Sequence, residues 1–156
     1  MSFAKLALPL ALAAMITSAA AALVDLSGWT AQGGSSNWTV AADKNSVFQS
    51  VNGSPTVFFS GSNDQGKALS GKIKVETTGD DDFIGFVLGY QSGNAAALAT
   101  DFILIDWKQG TQSHLGCSGA AGLAISRATA GLPDSAATWS HTGSVQELAR
   151  ASNLGS

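Results

Sequence analysis

Apolar and polar side chains alternate most regularly in residues 69–77. The odd positions, including Ile73 and Val75, point to one side, and the lysines Lys72 and Lys74 point to the other. A period of two is typical of a β-strand with one buried and one solvated face. We therefore expect an antiparallel strand over this segment.

Two further runs are apolar on both faces. They extend over residues 82–90 and 102–107. Strands of this kind are typical of the middle of a sheet, so we expect both to be central. In the first run the even positions, Phe86 among them, carry the bulk. On the other face Gly85 and Gly89 have no side chains, which allows a neighbouring element to pack close to the backbone.

Shorter segments complete the predicted fold. Strands are expected at residues 37–40, 46–51, 56–60 and, more weakly, 121–127. Val145–Ala151 is predicted to form one or two helical turns, with Ser144 as a possible N-cap. Many short strands between Gly- and Asn-rich turns are typical of an all-β antiparallel sandwich or jelly roll. Because no closing strand follows in the sequence, we expect this domain to be truncated at its C-terminus.

Composition favours a location outside the cytoplasm. Only 12% of the 156 residues are charged and 18 are Gly, which fits a secreted β protein better than a helical cytosolic one. The net charge of −3 provides no basic surface, so nucleic acid is not an expected partner.

Residues 1–22 have the features of a cleaved signal peptide. Lys5 supplies a positive start, Leu6–Ile16 an apolar centre and Ala20–Ala22 a small-residue cleavage site. A retained membrane anchor is the alternative, since the apolar stretch almost reaches the ~20 residues of a membrane span. We expect cleavage, a mature domain of residues 23–156 without a further membrane span, and a location outside the cell or at its surface.

The strongest candidate for a site is the acidic run Asp80, Asp81 and Asp82, where a turn meets a strand. Adjacent carboxylates repel one another unless a cation or solvent relieves them, and Ca²⁺ takes about 6–8 oxygen ligands of this kind. Successive side chains diverge, so at most two of the three would share one ion. A solvated acidic turn is the alternative. Mg²⁺ fits less well because it prefers strict octahedral geometry with several waters.

The remaining polar residues are expected to be structural. Asp106, inside an apolar strand, is predicted to face water or to pair with Lys108 on the same face, with a ligand role as the alternative. His141 is interpreted as a turn residue that holds the C-terminal region. No G-x-S-x-G nucleophile elbow occurs, and Glu76 and Glu147 are the only glutamates, so we expect no enzyme activity. The single cysteine cannot form an intrachain disulfide.

Four tryptophans, Trp29, Trp38, Trp107 and Trp139, could form a platform on which sugars stack. In a sandwich of this size most tryptophans belong to the core. We therefore expect Trp38 and Trp107 to be buried and leave the position of the other two open.

Several segments, in this order, resemble the thrombospondin C-terminal domain. They are residues 38–40 (WTV), 49–53 (QSVNG), 78–91 (TGDDDFIGFVLGYQ), 106–109 (DWKQ), 122–123 (GL) and 139–143 (WSHTG). The acidic run with GF-x-x-GYQ, followed by WKQ, is the most specific part. The loop at residues 92–101 departs from the family by being longer and rich in Ala.

The resemblance implies a concanavalin-like jelly roll of the L-type lectin kind, with calcium binding and an adhesive or matrix role outside the cell. Bacterial secreted proteins carry similar domains. With the resemblance, calcium becomes the expected ligand of Asp80, Asp81 and Asp82. The expected function is a secreted, non-catalytic adhesion or interaction module for an extracellular protein or glycan. A carbohydrate-binding lectin-like module is the alternative, and a glycan-active enzyme is a weaker one.

Overall fold

The computed structural model describes residues 23–77 and 82–151. These residues form ten strands: β1 (Thr30–Gly33), β2 (Trp38–Val40), β3 (Val47–Gln49), β4 (Thr56–Phe59), β5 (Ile84–Leu88), β6 (Phe102–Lys108), β7 (Gln112–His114), β8 (Cys117–Gly119), β9 (Gly122–Ala128) and β10 (Val145–Ala151). A 3-10 turn at Asn94–Ala96 and a short helix, α1 (Ala136–Trp139), are the helical elements in this part of the chain. None of the described helices has the length and hydropathy needed to cross a bilayer. The predicted signal segment lies outside the described residues.

The strands pair in antiparallel fashion throughout. Strands β10, β9, β6 and β5 form a four-stranded sheet in that order. Three smaller pairs consist of β1 with β4, β2 with β3, and β7 with β8. The predicted all-β antiparallel sandwich is confirmed.

The core lies between the four-stranded sheet and the β1–β4 pair. Phe102 and Ala128, which face each other across β6 and β9, are buried together with Phe59 of β4. The Tyr90 ring meets the rings of Phe59 and Phe102 edge to face, at centroid distances of 5.0 and 5.4 Å. We call this side of the large sheet its inner face. Because side chains alternate along a strand, Asp106 lies on the inner face as well.

Strand β9 is well buried although its sequence signal is weak. Its alternate residues Gly122, Ala124, Ser126 and Ala128 are all buried on the inner face. Small side chains make the hydrophobic pattern of this segment weak. They nevertheless allow other side chains to pack closely against the inner face of β9, which lies between β6 and β10.

Strand β5 lies at the edge of the described sheet, so the prediction that it is central is wrong. It pairs with β6 alone, and Ile84 and Leu88 are 37% and 44% exposed. Phe86 is half-buried. The apolar side chains of a strand lie on its two faces, whereas its position in the sheet depends on hydrogen bonds at its two edges. An apolar run therefore carries no information about how many strands are hydrogen-bonded to it.

Residues 69–77 form no strand ladder in the structure, although their alternation predicts one. Leu69 and Ile73 are exposed. Gly71 lies beside the Phe86 ring, and a Cβ added to this glycine would be 3.6 Å from the ring atom Cζ. Alternation makes a segment suitable for a sheet but does not provide a partner strand, and none pairs with it among the described residues.

The C-terminal segment Val145–Ala151 is strand β10, so the prediction of helical turns is wrong. It pairs with β9 over its length, and Val145 is fully buried in the core. Pairing and burial override local helix preference in such a segment. The helix that does form, α1, has Ser135 as its N-cap, whose hydroxyl accepts a hydrogen bond from the Thr138 amide at 3.2 Å.

Gly85→Ala is expected to destabilise the fold because no side chain fits at this position. A Cβ would collide with the Ile105 carbonyl oxygen and would lie 2.6 Å from the Asp106 Cα, both on the paired strand β6. Backbone atoms cannot yield without opening the β5–β6 pair, so we expect a loss of about 1–3 kcal/mol. Chemical denaturation measures it, and Gly28→Ala is the control, because this glycine has open space around it and no positive φ. A loss at Gly85 no larger than at Gly28 would contradict the close pairing.

Candidate functional site

The acidic run leads into strand β5. Asp82 is half-buried and stands two residues before the strand begins at Ile84. Asp80 and Asp81 lie outside the described residues. One end of the run is therefore attached to the four-stranded sheet, and its role in metal binding stays a prediction.

The described residues contribute one of the three predicted calcium ligands. In residues 23–77 and 82–151, no group of three or more His, Cys, Asp or Glu side chains is placed to hold a metal ion. Carboxylate oxygens such as those of Asp82 are hard donors of the type that Ca²⁺ prefers. The donor chemistry of the run thus fits calcium.

Phe83 anchors the end of the acidic run in a packed group of rings. Its centroid lies 5.2 Å from that of Trp139 and 4.8 Å from that of His141. The buried Lys108 places its Nζ 4.7 Å from the Trp139 centroid and 5.4 Å from that of Phe83, and it donates to Gln112 Oε1 at 2.9 Å. A desolvated ammonium over ring faces is stabilised by the ring quadrupole.

Asp106 is buried, so the prediction that it faces water or pairs with Lys108 is wrong. Its Oδ2 lies 3.1 Å from His141 Nε2, and both side chains are at most 4% exposed. Because a carboxylate only accepts hydrogen bonds, the imidazole donates from Nε2. Asp106 Oδ1 has no hydrogen-bond partner, the one buried side-chain nitrogen or oxygen of the described chain in that state.

The other nitrogen of His141 faces three polar groups from two strands. Nδ1 lies 3.2 Å from Ser126 Oγ on β9, 3.4 Å from Arg150 Nη2 on β10 and 3.9 Å from Glu147 Oε2 on β10. We call Asp106, Ser126, His141, Glu147 and Arg150 the His141 cluster. It joins β6, β9 and β10 through one imidazole.

The backbone at His141 agrees with its interpretation as a turn residue that holds the C-terminal region. Its φ of 53° is left-handed, which is uncommon for a residue with a side chain but enriched for histidine. The turn follows α1 directly and leads into β10. The side-chain contacts keep the backbone in this conformation.

Glu147 and Arg150 form a charged pair at the border of the cluster. Arg150 donates from Nη2 to Glu147 Oε2 at 2.7 Å and from Nη1 to the Ala120 carbonyl at 2.7 Å. The hydrogen bond from Arg150 lowers the pKa of Glu147, and the charge of His141 contributes in the same direction. The pair therefore keeps Glu147 ionised beside the imidazole.

Ser126, His141 and Asp106 together contain the residue types of a hydrolase triad, but their burial rules out that chemistry in this conformation. Ser126 is 0% exposed and lies on the inner face of β9, in register with Glu147 of the neighbouring β10. A nucleophilic hydroxyl must reach a substrate carbonyl, and this one is covered by the core. The arrangement is suited to holding three strands together.

The tryptophans do not converge on one platform. Trp38 and Trp107 are half-buried, whereas the sequence predicts them to be buried. Trp29 and Trp38 flank Phe58, at centroid distances of 5.8 and 5.4 Å. Trp139 packs separately, beside Phe83.

Part of the His141 cluster could have been found from the sequence. Alternation along Phe102–Lys108 places Asp106 on the same face as Phe102, which predicts burial. No local signal links it to His141, which follows 35 positions later. Glu147 and Arg150 reach the cluster only because their segment is a strand.

Curated proteins similar to this chain include thrombospondins and cartilage oligomeric matrix protein. Thrombospondin-3b of Danio rerio is 31% identical over 78 residues, which is 50% of this chain and 8% of that protein. Human thrombospondin-2 is 32% identical over 78 residues, and human cartilage oligomeric matrix protein is 30% identical over the same length. The match covers 50% of this chain in both cases, with 6% and 10% of the respective relatives. The chain thus corresponds to a small part of these relatives, and no solved structure matches it.

The family model described as "Thrombospondin C-terminal region" matches residues 34–151. This match contains the β2–β3 pair, the whole four-stranded sheet and every residue of the His141 cluster. The chain belongs to the thrombospondin C-terminal family.

Proposed function

We propose that this protein is a secreted, calcium-binding, non-catalytic module that adheres to an extracellular protein or glycan. The observation that carries the proposal is the family match over residues 34–151, which includes the acidic run. The signal-like features of residues 1–22 support export, with residues 23–156 as the mature domain. Partners and adhesive role are inferred by analogy with the family.

Calcium is the proposed ligand of Asp80, Asp81 and Asp82. Carboxylate oxygens at the start of a strand suit a hard cation, and a bound ion would relieve the repulsion between neighbouring negative charges. When bound, the ion supplies positive charge that ties the run to the start of β5. Phe83 would extend this restraint to the turn after α1, since its ring packs against Trp139 and His141.

The absence of catalysis is part of the proposal. The arrangement that most resembles catalytic machinery among the described residues is Ser126–His141–Asp106, and it is sealed in the core. An accessible nucleophile or acid–base pair in a cleft would be needed for hydrolysis. These buried contacts are more consistent with a binding module than with an enzyme.

Calcium is expected to raise the melting temperature of the protein. An ion that binds only the folded state stabilises it by ~2.7 kcal/mol at about 100 times its Kd, which corresponds to several degrees for a domain of this size. Differential scanning calorimetry with Ca²⁺, with Mg²⁺ and with a chelator measures the effect. An equal rise with Mg²⁺, or a rise that chelation does not reverse, would argue against the proposal.

A carbohydrate-binding function is the second candidate. The row Trp29, Phe58 and Trp38 favours it, because these rings pack on one another but are only half-buried, which leaves apolar surface for a sugar. Trp38 Nε1 donates to Thr56 Oγ1 at 3.1 Å, which fixes the ring orientation. A glycan array tests this function, with Trp29→Ala as the variant that should lose the signal. Retained glycan binding in that variant would exclude this row as the site.

A further inference from the structure

We infer that the His141 cluster is a pH-sensitive latch that fastens β10 to the sheet more tightly when His141 is protonated. The inference does not require calcium, because it rests on the contacts that the buried His141 makes with β6, β9 and β10. Its elements are a buried imidazole, two carboxylates, one guanidinium and one hydroxyl that can reverse its role.

The charges around His141 balance only when the imidazole is charged. Asp106 on β6 and Glu147 on β10 are negative, Arg150 on β10 is positive, and Ser126 on β9 is neutral. From the segment before β5 the imidazole faces the Phe83 ring, beyond which Lys108 lies. With neutral His141, the groups that contact the imidazole therefore carry an excess negative charge, which is costly at a buried position.

Asp106 is the group whose buried negative charge depends most on the charge of His141. It is 3% exposed, and its Oδ1 has no hydrogen-bond partner, so the carboxylate depends on the contact between Oδ2 and His141 Nε2. A charge-assisted hydrogen bond is about twice as strong as a neutral one. Protonation of the imidazole converts the contact into an ion pair in a poorly solvated place.

The second nitrogen can be satisfied in both states. In the neutral ring Nδ1 accepts from the Ser126 hydroxyl or from Arg150, and in the charged ring it donates to Ser126 Oγ, which rotates its proton away. In the charged ring Arg150 loses its hydrogen bond to Nδ1, because both nitrogens are then donors, but it keeps its hydrogen bonds to Glu147 and to the Ala120 carbonyl. The latch therefore changes state without breaking the fold.

The segment controlled by this latch is the end of the described sheet. β10 is an edge strand, and His141 lies in the turn just before it. A tighter bond between His141 and Asp106 restrains this turn against β6. We expect the amides of β10 to open less often when the cluster is charge-balanced.

The test is the pH dependence of the melting temperature between about pH 8 and about pH 5, the range in which histidine changes charge, measured in chelator so that metal does not contribute. A group whose charged form is favoured by the fold adds stability at the acidic end and loses it as pH rises. We therefore expect the wild type to gain several degrees on acidification through this range. A flat or falling profile would overturn the inference.

Two variants give the test its specificity. Asp106→Asn keeps the size of the side chain but removes the buried charge, so the fold should then favour neutral His141 and the slope should reverse. His114→Gln removes the other histidine, which is exposed and paired with Asp134 at 3.3 Å. Because exposed pairs contribute little to stability, this variant should leave the wild-type slope unchanged. An Asp106→Asn profile parallel to the wild type would contradict the latch.

Hydrogen exchange on the wild type tests the latch even if Asp106→Asn does not fold. After correction for intrinsic exchange rates, protection of the β10 amides should rise on acidification relative to the amides of the β2–β3 pair. Equal changes in both regions would show a global effect in place of a latch.

Discussion

Phe102→Ala is expected to cost about 3–5 kcal/mol of folding free energy, because it removes a ring from the centre of the core. Phe102 is 2% exposed, faces Ala128 across the β6–β9 pair and meets the Tyr90 ring edge to face. Its neighbours belong to three separate segments of chain and cannot close the cavity together. Urea denaturation followed by circular dichroism measures the loss.

Phe86→Ala is the matched control for this prediction. The same ring is removed from a half-buried position on edge strand β5, where solvent and the Gly71 segment flank it. Sequence reasoning alone would assign Phe86 the larger loss, since its strand is predicted to be central. A loss at Phe86 equal to or above that at Phe102 would show that β5 lies deeper in the folded protein than the structure places it.

His141→Ala is expected to destabilise the protein by about 3–5 kcal/mol, which is typical when a buried charge loses its partner. Asp106 would keep its buried carboxylate but lose its hydrogen-bond donor, while Oδ1 already has no partner. The left-handed backbone at residue 141 would also lose the contacts that maintain it. Thermal and chemical denaturation at neutral pH measure the effect.

A double variant separates the buried charge from other effects. Asp106→Ala combined with His141→Ala removes both partners, so it should be less unstable than the sum of the two single changes. His114→Ala, at the exposed histidine, should change stability by no more than about 1 kcal/mol. Strict additivity of the Asp106 and His141 changes would contradict their direct coupling.

The sequence was sufficient for the fold class and for most strands because these depend on local patterns. Short apolar segments between turns correspond to β2, β3, β4, β5, β6 and β9. It was insufficient where structure depends on partners distant in sequence. Residues 69–77 have the right alternation without a partner, whereas Val145–Ala151 acquires strand structure from β9.

The candidate sites show the same division. The acidic run is visible in the sequence because its three carboxylates are adjacent, and its proposed ligand follows from donor chemistry and family membership. The His141 cluster is not visible, because its members come from β6, β9, the turn after α1 and β10. Only the burial of Asp106 could have been inferred in advance, from the face that it shares with Phe102.

Calcium binding measured by isothermal titration calorimetry tests the central claim most directly. The comparison is between the wild type, the variant Asp80→Asn, Asp81→Asn, Asp82→Asn, and a control that changes three exposed aspartates elsewhere. The control carries Asp43→Asn, Asp64→Asn and Asp134→Asn, so both variants lose the same charge. We expect saturable calcium binding in the wild type and the control, and its loss in the first variant. Undiminished binding in the first variant, or none in the wild type, would contradict the assignment of calcium to the acidic run.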